Sequence, residues 1–179
     1  MRYVFPCGTP TLDFVGTLQE RRAPVPIERI GSPGLLDSWF VESGLLDERP
    51  GSGQADLRAA TELREAIYSL VRACLTGRPL PAGAVATVNR QAAGVPVAMR
   101  LGSAGTSCSG RASQALTDLA REAVEIIAGG DAALLRECGH PDCTHVYLDR
   151  SRGRRREWCA MRTCGNRVKA ASLRARRRR

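Results

Sequence analysis

At 179 residues the chain has the length of one ordinary domain, or of one domain of about 130 residues with a small appendage. Hydrophobic residues make up 43% and aromatics only 4%, so a core must be built mostly from Leu, Val, Ile and Ala, which favours packed helices. No run approaches the roughly 18 apolar residues of a membrane span and the opening MRYVFPCGTP lacks the long apolar core of a secretory signal, so a cytoplasmic protein is expected; the net charge is +9.

The first segment, PTLDFVGTLQERR, reads as a strand or short helix with Leu12, Phe14, Val15 and Leu18 apolar, and with Asp13 among them as a capping or salt-bridged residue. Ser32-Pro33 places an N-cap before a first-turn proline, and Leu35, Leu36, Trp39 and Phe40 then follow at one-turn spacing until Gly44, so a short amphipathic helix with Trp39 in the core is predicted. ERPGSGQ is a loop. From Gln54 to Gly77 a longer helix carries Leu63, Ile67, Leu70 and Cys74 on one face, with Cys74 as a buried small hydrophobe and Arg64 facing solvent.

Pro81 opens a third helix through Ala92, marked by Val85, Val88 and Asn89. VPVAMRLGSAGTSCSG has β-branched residues around a Gly/Ser turn and predicts a β-hairpin. A helix from Ala112 to Ala128 follows, with Leu116, Leu119, Ala123 and Ile127 on one side and Gly129-Gly130 as its stop. DAALLRE is a short turn leading to Cys138, and HVYLD reads as a strand.

Cys138 and Cys143 are separated by four residues, fifteen more intervene, and Cys159 and Cys164 repeat the four-residue gap. Each pair can bend back on one ion, as tetrahedral zinc requires of four thiolates about 2.3 Å away. The first loop, GHPD, has the Gly and Pro of a tight turn, and the second pair begins at a helix N-terminus, which favours thiolate. Some 40 residues so rich in arginine cannot bury enough apolar surface to fold alone, whereas a structural zinc supplies on the order of 10–16 kcal/mol. Loss of a zinc cysteine is therefore expected to unfold only the C-terminal part. Iron on the same ligands is the metallic rival. His140 and His145 are loop or strand residues, since four sulfurs complete the shell and leave no open catalytic position.

The charge is concentrated at one end. Residues 150–179 hold 13 basic residues against the single acid Glu157, so a chain of net +9 leaves about −3 for residues 1–149. DRSRGRRRE forms a predicted β-turn with Arg152, Arg154, Arg155 and Arg156. On a helix over 160–176, Met161, Cys164, Val168, Ala171 and Ala175 gather on one side, toward the zinc and the HVYLD strand. Asn166 lies opposite, between a row of Arg162, Lys169 and Arg176 and a row of Arg167 and Arg174. Such an array neutralises phosphates, and Asn166 with Arg167 can address base edges. DNA is the expected partner and RNA the alternative.

CGHPDC, VYLDRSR, RRREWC and CGNRVKAASLRARR together resemble the CGNR zinc-finger family. The resemblance implies one structural Zn2+ held by Cys138, Cys143, Cys159 and Cys164. GTPTLDFVGTL, LLDSWFVESGLL, ELREAIYSLV and VNRQAA are similar to the ABATE domain that accompanies this finger. Proteins of this kind are described as stress-responsive bacterial transcriptional regulators. Gly16 departs from the pattern, standing where the family commonly has Asn, which bears on any ligand that Asn contacts.

The expected architecture is α+β and mostly α: a helical N-terminal domain with a small β-hairpin over residues 1–130, a four-cysteine zinc module of short strands and a C-terminal helix over 134–176, and a basic tail at 177–179. The expected function is zinc-dependent DNA-binding transcriptional regulation, with an N-terminal domain that senses a small-molecule effector or partner. An enzyme using Asp13 and Arg64 lacks a nucleophile–base pair, a phosphate loop and a His constellation, so no catalytic residue is assigned.

Overall fold

A computed structural model of the chain describes residues 3–103 and 105–177, without the side chains of residues 172 and 175–177. Arg176 and Ala175, and the tail beyond residue 177, thus lie outside the described side chains. The chain opens with helix α1 (Pro10–Val15), whose N-cap Thr9 accepts from the Leu12 N–H and whose first turn begins with proline. All but the first of its residues are buried, so α1 is a plug in the core, not a surface helix. The two-residue strands β1 (Leu18–Gln19) and β2 (Ile27–Glu28) pair antiparallel beside it.

Helix α2 (Pro33–Glu42) starts as predicted at Ser32, and buries Leu36, Trp39 and Phe40. Trp39 packs at a tilt against Phe14 of α1 with ring centroids 5.2 Å apart. Helix α3 (Gln54–Thr76), helix α4 (Ala82–Ala92) and helix α5 (Ala112–Ala128) form a packed layer, with α1 seated on α3 and α5. Between α4 and α5 the predicted hairpin forms from β3 (Ala98–Gly102) and β4 (Gly105–Ser109).

Several local expectations are corrected. Arg64 does not face solvent: it is 3% exposed, because the β1–β2 pair folds over α3 and presents Glu28 to it. Both Glu28 oxygens accept from the guanidinium at 2.7 Å, and Glu65 accepts from Nε at 2.9 Å. Desolvation opposes charge on both Arg64 and Glu28, yet these bonds hold the Glu28 carboxyl below its ordinary value. Cys74 is half-buried, and on α5 the core position is Ile126, with Ile127 at the margin.

After α5 a 3-10 turn (Gly130–Leu134) leads into strand β5 (Leu135–Glu137), which sequence reading had merged into a turn. It pairs antiparallel with β6 (Val146–Leu148). Leu135, Val146, Tyr147 and Leu148 are fully or almost fully buried in the same core as α1, α3 and α5. The Leu148 N–H donates to the Cys7 carbonyl at 3.1 Å, and Glu137 receives both Arg22 and Arg72 from the preceding part of the chain. The C-terminal region is thereby built into the helical one.

Candidate metal centre and basic face

The first cysteine pair brackets the loop before β6. The Cys143 N–H donates to the His140 carbonyl at 3.0 Å, closing the turn, and the Cys138 N–H donates to the His145 carbonyl at 3.0 Å. The second pair spans a wide π-helical turn (Met161–Gly165) that runs into helix α6 (Asn166–Arg177). The two turns bring four sulfurs together, each within 4.8 Å of the others. Cys143 Sγ lies 3.8 Å and Cys164 Sγ 3.6 Å from Cys159 Sγ. A tetrahedron with metal–sulfur bonds of about 2.3 Å has edges of about 3.8 Å, so the cage fits zinc.

Charge in the cage agrees with a metal. Side-chain hydrogen bonds from Cys143 and Cys159 push the Cys138 thiol far down toward thiolate, and the Cys159 N–H adds a contact at 3.4 Å. Cys143 is pushed up in turn, first by its bond to Cys138. Four thiols this close cannot all ionise alone; a divalent cation removes the conflict. Neither histidine joins the sulfurs. His145 Nε2 lies 3.2 Å from the Gly16 carbonyl, and burial lowers its pKa, so the neutral ring donates there.

The structural roles of three features of the centre are not legible in the sequence. Gly139 and Gly165, each following a cysteine, flank Trp158: a Cβ on Gly139 would meet the indole at 3.3 Å, and one on Gly165 would meet it at 3.2 Å and Met161 Sδ at 2.7 Å. The repeated Cys-Gly was the signal that could have revealed this. Asp149 accepts from the Ser151 hydroxyl and from the Ser151 and Arg156 N–H groups and organises the arginine turn; these bonds, first that of the Ser151 hydroxyl, lower its pKa.

Arg156 is the third. Expected among the nucleic-acid contacts, it has its guanidinium 4.3 Å over the Tyr147 ring, donating to the carbonyls of Pro6 at 2.6 Å, Trp158 at 2.8 Å and Cys159. It ties the metal loop to the N-terminal segment. Arg152, Arg154 and Arg155 remain exposed on a turn closed by the Arg154 N–H and the Ser151 carbonyl at 3.0 Å.

Arg162, Asn166, Arg167, Lys169 and Arg174 are also exposed. Apart from Cys164, the described residues of the predicted apolar side of this helix are not buried. Met161 is 49% exposed, Ala171 is exposed and Val168 only half-buried: the wide turn takes Met161 and Cys164 out of the 100° phase of Val168 and Ala171. Among the described residues α6 packs chiefly on the turn that feeds it, and it leaves the body as an arm.

Gly16 also finds a reason. A Cβ there would come 2.8 Å from His145 Cδ2, so the imidazole occupies the place of a side chain. The neighbouring cavity, between Asp13, Trp39 and Arg29, holds only about 50 Å³. Asp13 itself accepts from the Cys7 N–H at 2.9 Å, a structural role, and burial pushes its carboxyl up to about 6.

No helix among the described residues is long and apolar enough to cross a membrane. A comparison with curated proteins finds no match. Residues 135–177 match the CGNR zinc finger, and with the four-sulfur cage this identifies one structural zinc. Residues 8–130 match ABATE, described as "Putative stress-induced transcription regulator", and the chain therefore belongs to the ABATE family, joined to a CGNR zinc finger in the expected order.

Proposed function

We propose that this protein is a DNA-binding transcriptional regulator whose zinc, held by Cys138, Cys143, Cys159 and Cys164, fixes the base of a basic arm. The observation that carries the reading is the exposure of the cations on that arm: α6 presents Arg162, Arg167, Lys169 and Arg174 with Asn166, and the turn adds Arg152, Arg154 and Arg155. Four thiolates around a divalent ion leave −2, which two arginines would compensate; the rest of the charge calls for a polyanion. Arginine and lysine grip phosphates, and Asn166 and Arg167, at the start of the helix, address base edges. Both families are regulatory or zinc-finger families, not enzyme families.

The test is binding of the full chain to duplex DNA across salt. With about six phosphate contacts, affinity should fall on the order of 10³-fold between about 50 and 200 mM salt. A Cys159→Ala variant should lose its equivalent of zinc and its binding together. A Cys159→Ala protein with full zinc and unchanged affinity sinks the reading. Competition by structured RNA at equal or better affinity would assign the arm to RNA.

A further inference from the structure

A cleft of about 200 Å³ opens between the N-terminal segment, the β1–β2 pair and the metal loops. Val4, Pro6 and Ile27 supply apolar lining, while Glu20, Asp142 and Arg167 bring opposite charges to it. The charges are ordered along its length. Glu20 and Asp142 also line an adjoining cavity of about 140 Å³ with Arg22 and Pro141, and Arg167 does not, so the acids stand where the two cavities meet and Arg167 stands apart from that junction. Among the described residues, the carboxylates of Glu20 and Asp142 and the guanidinium of Arg167 have no ion pair or hydrogen bond; Arg22 is already bonded to Glu137. Val4 and Ile27 leave apolar surface uncovered at the mouth.

We propose that this cleft binds a small zwitterion, a free amino acid, with its ammonium at Glu20 and Asp142, its carboxylate at Arg167 and its side chain on Val4, Pro6 and Ile27. At the roughly 30 Å³ share of one water in the liquid, the main cleft has room for about seven waters, enough for a small amino acid. A simple carboxylic acid is disfavoured because the zinc thiolates Cys143, Cys159 and Cys164 also line the cleft and the thiolate set carries net negative charge. A simple amine leaves Arg167 unanswered. Only a ligand with both charges satisfies both ends, and the apolar wall accounts for the third group of an amino acid.

The test uses the zinc-loaded full chain without nucleic acid, so it stands apart from the DNA-binding reading. Calorimetric titration with the standard free amino acids should find at least one with Kd below about 1 mM. For that ligand, the amine lacking the carboxylate and the acid lacking the amine should each bind at least about tenfold more weakly. Glu20→Gln should cost a similar factor, and Ile27→Trp, which fills the cleft, should do the same; zinc content and circular dichroism report whether each variant folds, and Glu20→Gln alone decides if the tryptophan variant does not. Absence of binding by any amino acid up to about 10 mM overturns the proposal. So does equal binding of either analogue, or unchanged binding by the folded variants. A second arm rests on the DNA reading: because Arg167 is shared, the bound amino acid should weaken DNA binding, and its failure with ligand binding intact would indict the role of Arg167 on DNA, not the site.

Discussion

Arg156 shows how a residue's environment overrules its type. Its neighbours Arg154 and Arg155 are exposed, yet Arg156 spends its donors on three carbonyls and its face on Tyr147. Arg156→Ala should destabilise the folded chain by about 2–3 kcal/mol, since buried carbonyls lose a charged donor. Its DNA affinity should fall without a change in salt slope, whereas Arg155→Ala should reduce the slope by about 1. Equal slope losses with stability intact would return Arg156 to the contact surface. Asp13 gives a prediction in pH. Burial raises its carboxyl from 3.8 to about 6, so the folded chain holds that proton more tightly than the unfolded chain. Its contribution to stability is thus greatest below about pH 4 and is lost as pH rises through 6. Relative to Asp13→Asn, the wild type should gain about 1 kcal/mol between pH 7 and pH 5, measured by denaturant unfolding at matched zinc occupancy. A flat or opposite difference would mean that Asp13 ionises freely in the fold.

At the scale of elements, α6 is unusual because little holds it except its own backbone and the metal turn at its root. A helix of 12 residues in water is marginal by itself, so its persistence depends on the anchored first turn and on whatever it grips. Deleting residues 168–179 should leave one zinc per chain and shift the unfolding midpoint by no more than a few degrees, while abolishing DNA binding. Retained binding would put the contacts on the arginine turn instead. The β5–β6 hairpin behaves in the opposite way: three residues per strand would not stand alone, and burial of Leu135 and of all of β6 in the helical core is what keeps it.

That sharing changes the expectation for the whole molecule. A finger that merely followed the helical region would melt separately when its metal is removed. Here Tyr147 and Leu148 lie in the common core, Leu148 bonds to Cys7, and Arg156 reaches Pro6. Chelation should therefore destabilise the protein as one unit, moving a single thermal transition downward by ten degrees or more on the order of the zinc contribution. An unaltered upper transition beside a separately melting finger would show that the shared core carries little stability.

The cysteine spacing, the helix signals at Ser32-Pro33 and Gly77, and the hairpin at residues 98–109 were legible because each depends on neighbours in the chain: a capping hydroxyl, a stop, a loop short enough to turn two thiols on one ion. The CGNR motif and the run of arginines likewise disclosed a zinc centre and a cationic end. What remained hidden depends on residues far apart. Arg64 is buried because Glu28 arrives from another element, Arg156 is a clamp because Pro6 lies beside it, and Gly16 matters because His145 fills its space. Local pattern specifies which backbone can form, but desolvation, charge pairing and steric room are set by partners that only the folded chain brings together.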